Sequence, residues 1–174
     1  WLRTYDRSLP GGAAAAMVAS ARRPNPCFVS RSRVIVSPDD SGEVMALDAA
    51  TGARQWSTPL PAIGARVLAV DPKHIVLSGE RLWAINADDG KIDDAWGGEP
   101  GGGVGQGVVS GDLVFWPTIS DVLLVDRSTG KPTGQTLPLS AAGGANLVVC
   151  KLGGEEFILA AGPDRLTAYR RTGA

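Results

Sequence analysis

Two acidic pairs, Asp88-Asp89 and Asp93-Asp94, stand close enough along the chain to attract a hard cation through oxygen ligands. The first pair falls in a segment that reads as a tight turn, where a solvated carboxylate is the expected state. Asp39-Asp40 follows Pro38 in a comparable loop and is read the same way. His74 is the single histidine and heads an apolar strand, so a Ser-His-Asp mechanism would have to run through it. No Gly-x-Ser-x-Gly nucleophile motif accompanies it, and the expectation is a partly exposed histidine at a strand edge. A two-histidine metal site is excluded within the chain. Cys27 and Cys150 are too few for a disulfide framework and read as small buried thiols. No catalytic, cofactor-binding or metal-binding residue is therefore assigned, and no cofactor is expected.

The elements that carry these residues are announced by a repeat. Ala46-Leu47-Asp48-Ala49-Ala50-Thr51-Gly52-Ala53-Arg54-Gln55-Trp56 returns in weaker form at Ala84-Ile85-Asn86-Ala87-Asp88-Asp89-Gly90-Lys91 and at Leu124-Val125-Asp126-Arg127-Ser128-Thr129-Gly130-Lys131. A degraded copy is Ala168-Tyr169-Arg170-Arg171-Thr172-Gly173-Ala174. Asp48, Asn86, Asp126 and Arg170 are thus 38, 40 and 44 residues apart, the period of a β-propeller blade. Between the signatures lie short runs of β-formers bounded by Gly-Asp, Pro-Asp or Gly-Glu, the pattern of antiparallel meanders. Examples are Arg33–Val36 and Val44–Leu47 in the first unit, His74–Ser78 and Arg81–Ile85 in the second, and Leu113–Trp116 and Val122–Val125 in the third. The fourth unit offers Ala145–Cys150, Phe157–Ala161 and Arg165–Tyr169.

Each signature has a mechanical reading. Asp or Asn bonds its own downstream amides to start a reversal, and glycine supplies the positive φ that the turn needs. Trp56, four residues past Gly52, and Trp96, six past Gly90, then open outer strands and fill the wedge between neighbouring blades. Trp83 and Trp116 lie on strands and are expected to pack between sheets. The run Gly101-Gly102-Gly103-Val104-Gly105-Gln106-Gly107 matches neither phosphate-loop pattern and precedes a strand, so it reads as a flexible inter-blade loop.

Composition sets outer limits. The 174 residues suffice for one domain with a real core, and 17 basic against 18 acidic residues leave no basic face for nucleic acid. No apolar run approaches the roughly 18 residues of a membrane helix.

The pattern Ala-Leu-Asp-x-x-Thr-Gly-x-x-x-Trp resembles the repeat of quinoprotein-type propellers, the PQQ-like family. The resemblance is sharp over 34–60, fair over 74–96 and 113–131, and faint after 157. Trp116-Pro117-Thr118 with Val122-Leu123-Leu124-Val125-Asp126 is also similar to long propeller proteins of planctomycete-like bacteria. The resemblance implies an all-β propeller of about four four-stranded antiparallel blades. Trp1–Asp6 reads as an outer strand, which either closes a four-bladed ring on the last blade or belongs to a partial arc of a larger propeller, and the missing initial Met with ragged ends favours the arc as the expectation. The expected divisions are 1–10 for the outer strand of a preceding blade, then blades at 17–60, 64–97, 104–139 and 144–174. The family holds both dehydrogenases that bind pyrroloquinoline quinone with calcium and scaffolds without quinone. The resemblance implies two adjacent cysteines over the quinone in the enzymes, and this chain has none. The expectation is a non-catalytic binding or protein-interaction scaffold working outside the cytoplasm, with a protein or small-molecule ligand at loops or the axial channel. Self-association through exposed blade faces is a further expectation. The alternative is a fragment of a quinone- and calcium-dependent dehydrogenase whose ligands lie on other blades.

Overall fold

The computed structural model describes residues 1–5, 25–38, 41–59, 66–79, 81–97, 102–139 and 143–171. Every regular element among them is a strand, as the β-branched runs and turn punctuation require. The first sheet runs β1 (Phe28–Ser30), β2 (Arg33–Val36), β3 (Glu43–Asp48) and β4 (Arg54–Pro59), paired in chain order. The second holds β5 (Arg66–Val70), β6 (His74–Ser78) and β7 (Leu82–Asn86). The third holds β8 (Val108–Ser110), β9 (Leu113–Pro117), β10 (Asp121–Asp126) and β11 (Pro132–Pro138), and the fourth β12 (Asn146–Leu152), β13 (Glu155–Ala161) and β14 (Leu166–Arg171). All pairings are antiparallel, so each sheet is an up-and-down meander joined by tight turns.

The chain forms two compact units, one carrying β1–β6 and β7 from Trp83, through Asp93, the other carrying β8–β14 from Asp94 onward. Within each, two sheets bury facing side chains. In the first unit Ile35, Val44 and Ala46 meet Val67, Ile75, Leu77, Trp83 and Ile85, with Phe28 and Trp56 at the margin. In the second, Phe115, Val122 and Leu124 meet Leu147, Ile158 and Ala160. A meander buries only one side of its pleat against one neighbour, so alternate residues of each strand belong to different interfaces.

Three expectations are corrected. Trp96 does not open an outer strand; after β7 only a single bridge, Ile85 to Ile92, is formed before a turn carries the indole elsewhere. Trp1–Tyr5 are not in a strand either, and residues 6–10 lie outside the described residues. The Gly102–Gln106 stretch connects blades but is tied down rather than free. Val104 donates to the Pro117 carbonyl at 2.9 Å, its own carbonyl accepts from Ala145 at 3.2 Å, and Leu147 donates to the Gln106 carbonyl at 2.8 Å. Glycine is needed there because a Cβ on Gly105 would overlap the Ala145 carbonyl. Gly101 lies outside the described residues.

Candidate functional site

The feature that recurs, and so the first candidate for function, is the turn after the third strand of the first three sheets. In the first sheet Asp48 Oδ1 accepts from the Thr51 amide at 2.8 Å, the Thr51 hydroxyl at 2.8 Å and the Ala50 amide at 3.1 Å. In the third, Asp126 Oδ1 accepts from the Ser128 hydroxyl at 2.7 Å and from the Thr129 amide and hydroxyl at 2.9 Å. Asn86 performs the same act once, accepting from the Asp88 amide at 2.8 Å. The chain then closes with Gly52, Gly90 and Gly130 donating to the carbonyls of Asp48, Asn86 and Asp126, at φ of 69°, 76° and 71°. The Thr51 amide and hydroxyl hold the Asp48 carboxyl below the usual carboxylate range. The Ser128 hydroxyl, then Thr129, do the same for Asp126.

Each turn glycine is also the seat of an indole from the preceding repeat. Trp1 lies over Gly52, Trp56 over Gly90 and Trp96 over Gly130, so close that a Cβ on Gly90 or Gly130 would fall 2.6 Å from the ring. Trp1 Nε1 donates to the Ala49 carbonyl at 3.1 Å and Trp96 Nε1 to the Arg127 carbonyl at 2.9 Å, the residue after the turn Asp in both. At the middle joint that carbonyl, Ala87, instead accepts from Arg33 Nη1 at 3.0 Å. Trp56 Nε1 is left without a hydrogen-bond partner. Arg33 also grips Asp88 at 2.9 Å and Gln55 at 2.6 Å, so a guanidinium replaces the indole as the polar link. The repeat marks the Trp for the wedge, whereas Arg33 carries no signal in the sequence beyond a charge heading an otherwise apolar strand.

The remaining candidates are distributed, not gathered. Asp88 faces Arg33 and Arg31. Asp89 is held below its ordinary range by the Lys91 amide, and Asp94 is exposed. Asp39 and Asp40 lie outside the described residues. His74 is a correction: it is 5% exposed, not at an open edge, because it sits on the central strand of its sheet. Its Nε2 is 3.0 Å from Asp93 Oδ2, which satisfies the buried ring. The cysteines are corrected as well. Cys27 is exposed and Cys150 half-buried, both as free thiols, because Cys27 precedes β1 and Cys150 lies on the open side of the fourth sheet. Glu156 is tied to Ser110 and Arg171, and these two hydrogen bonds, Ser110 first, lower its pKa. Trp83 and Trp116 are buried on their strands, Trp116 against Gly103. One open cavity of about 520 Å³ lies against the first sheet, bordered by Arg3, Tyr5, Glu43, Met45, Leu47 and Arg54.

A family model described as outer membrane protein assembly factor BamB, of the PQQ-like repeat, matches residues 10–149. The chain belongs to this family. Among solved structures, this PQQ-like propeller chain is similar to BamB from Moraxella catarrhalis, with TM-score 0.57 and 18% identity over 79% of this chain and 42% of that one. It is similar to a europium-containing methanol dehydrogenase, with TM-score 0.59 and 16% identity over 98% of this chain and 45% of that one. The computationally designed Ika4 protein matches with TM-score 0.62 and 12% identity over 86% of this chain and 94% of that one. These likenesses show the propeller fold, and the chain spans less than half the length of the two natural relatives. A search of curated proteins finds no significant match.

The PQQ-like repeat raises the question of quinone and calcium, which is put here to the donor set of the described residues. There is no adjacent cysteine pair. Among the described residues no three His, Cys, Asp or Glu side chains converge as metal ligands do. The carboxylates of Asp48 and Asp126 are spent on turns, and those of Asp88, Asp93 and Glu156 on Arg33, His74 and Arg171. These residues do not fit a quinone–calcium centre.

Proposed function

We propose that this PQQ-like propeller segment is a binding module, not a catalyst, and that it presents its surface to a protein partner outside the cytoplasm. The observation that supports this is the use of the repeat's own polar groups. The turn carboxylates that give the family its signature close their own turns, the indoles seat on the turn of the next repeat, and Asp88 and Asp93 are paired with Arg33 and His74. A protein partner is placed first because the matched family is described by outer membrane protein assembly. A scaffold of stacked meanders suits that role, since it offers loops and sheet edges without moving parts.

The test is reconstitution. The purified chain is dialysed against pyrroloquinoline quinone with calcium, and separately with a lanthanide, and then scanned for quinone absorbance and for dye reduction with a primary alcohol. No retained quinone and no turnover are expected. Retention of one quinone per chain would overturn the proposal in favour of a dehydrogenase segment.

A further inference from the structure

The turn of the second repeat departs from its two counterparts at one chemically significant place. Where the first and third carry Thr51-Gly52 and Thr129-Gly130, the second carries Asp89-Gly90, the one Asp-Gly step in a sequence that has no Asn-Gly step. An aspartyl carboxyl ahead of glycine is able to close on the next amide nitrogen, because glycine has no Cβ to hinder the approach. At this turn the glycine has no substitute. Its φ is 76°, and a Cβ on it would fall 2.6 Å from the Trp56 ring. The fold therefore keeps the reactive pair together, with the Asp89 side chain 47% exposed to water.

Closed, the turn restrains both reactants. The Gly90 N–H donates to the Asn86 carbonyl at 2.9 Å. Asp89 Oδ1 accepts from the Lys91 amide at 3.0 Å, and Oδ2 lies 3.3 Å from Lys91 Nζ. These contacts all lie within the turn, so local opening releases nitrogen and carboxyl together. The joint that keeps the turn shut is the one where Trp56 Nε1 has no partner and Arg33 supplies the polar link through Asp88 and the Ala87 carbonyl. The Arg33–Asp88 pair reaches the surface, where such a tie is weak.

We infer that Asp89 is a site of spontaneous isomerisation, reached when this turn opens, and that the product no longer seats Trp56. The Gly90 nitrogen bonds to Asp89 Cγ, the carboxyl C–OH bond breaks, and the hydroxyl leaves as water with the amide hydrogen. Water then adds to the Asp89 main-chain carbonyl of the cyclic imide and breaks its bond to the Gly90 nitrogen. Asp89 is left joined to Gly90 through its side chain and carries a free α-carboxyl, with no net change of atoms or oxidation state. The main chain is now longer by one carbon, just ahead of a residue that is fixed in three ways. Its nitrogen is held by Asn86, its carbonyl by the Thr58 hydroxyl, and its α-carbon lies beneath Trp56. The joint between the first two repeats cannot close around the lengthened turn. The inference goes beyond the binding role proposed above and does not depend on it.

The full chain is aged at physiological temperature and mildly acidic pH beside a synthetic peptide of residues 82–91, which is also the tryptic fragment between Arg81 and Lys91. Electron-transfer mass spectrometry identifies the β-linked residue by its fragments at unchanged mass. The folded chain is expected to isomerise at residue 89, more slowly than the peptide. Arg33→Gln, with circular dichroism as the check on folding, is expected to react several-fold faster than the parent, and the parent in urea below its unfolding transition to do the same. Asp89→Thr, which restores the residue of the other two turns, is expected to form none. The urea midpoint of the aged parent should fall as isomerised chain accumulates, while aged Asp89→Thr keeps its own. A folded chain that leaves residue 89 intact while the peptide converts would overturn the inference. So would a rate indifferent to both Arg33→Gln and urea, or an isomerised chain with an undiminished midpoint.

Discussion

Gly130→Ala tests the joint between repeats most directly, because Gly134→Ala isolates its two costs. At Gly130 a methyl group meets a φ of 71° and, at 2.6 Å, both the Trp96 ring and the Gly97 backbone. At Gly134 the φ is 83° but nothing lies within 4 Å of the added atom. The left-handed conformation costs an L-residue about 1–2 kcal/mol at either place. Overpacking against a seated indole adds about 1–3 kcal/mol at Gly130 alone. The reduced freedom of the unfolded chain offsets both variants alike, by about 0.4–1 kcal/mol, and drops out of the difference. Urea unfolding followed by far-ultraviolet circular dichroism therefore gives Gly130→Ala the lower midpoint, by about 1–3 kcal/mol relative to Gly134→Ala, at equal slope. Equal midpoints would refute the claim that the turn glycine exists to admit the tryptophan.

Trp96→Phe loses the hydrogen bond to the Arg127 carbonyl, whereas Trp56→Phe loses none, so the first destabilises by about 1 kcal/mol more in the same assay. Asp126 has its folded pKa below the unfolded value of 3.8, so its contribution is complete above that pH and disappears as pH falls through the folded value. Melting temperature in acid is expected to decline less steeply for Asp126→Asn, whose amide oxygen keeps accepting as Asn86 does. The quinone dialysis described above completes the set.

The strands were largely legible because a meander is local. His74–Ser78 and Arg33–Val36 are bounded by their own turn residues, and their extents follow from short-range chemistry alone. The turn and its indole were legible for a related reason, since a motif that recurs three times exposes which residue types it cannot do without. What escaped depended on partners distant in the chain. His74 is buried because Asp93, 19 residues on, satisfies it. Arg33 usurps a carbonyl 54 residues away, and no local pattern marks that exchange. Trp96 lies in no strand although its ring seats on Gly130 as that of Trp56 seats on Gly90; it stands six residues past its turn glycine where Trp56, in β4, stands four past its own. The candidate acids were visible as pairs in the sequence, but only the coordinates show Asp88 bound to arginine, Asp93 to His74 and Asp89 to its own turn.

The seating of each indole on the next glycine also shifts the boundaries of inheritance. A piece running from one turn to the next carries its own socket and, four to six residues on, the plug for its successor. Such pieces share the ring-on-glycine seat, so a gene of this kind lengthens or shortens by whole modules with only the polar link, an indole or Arg33, to be matched. The chain from glycine to tryptophan runs four residues after Gly52 and six after Gly90 with both rings seated alike, so the join is kept where the length of chain leading to it is not.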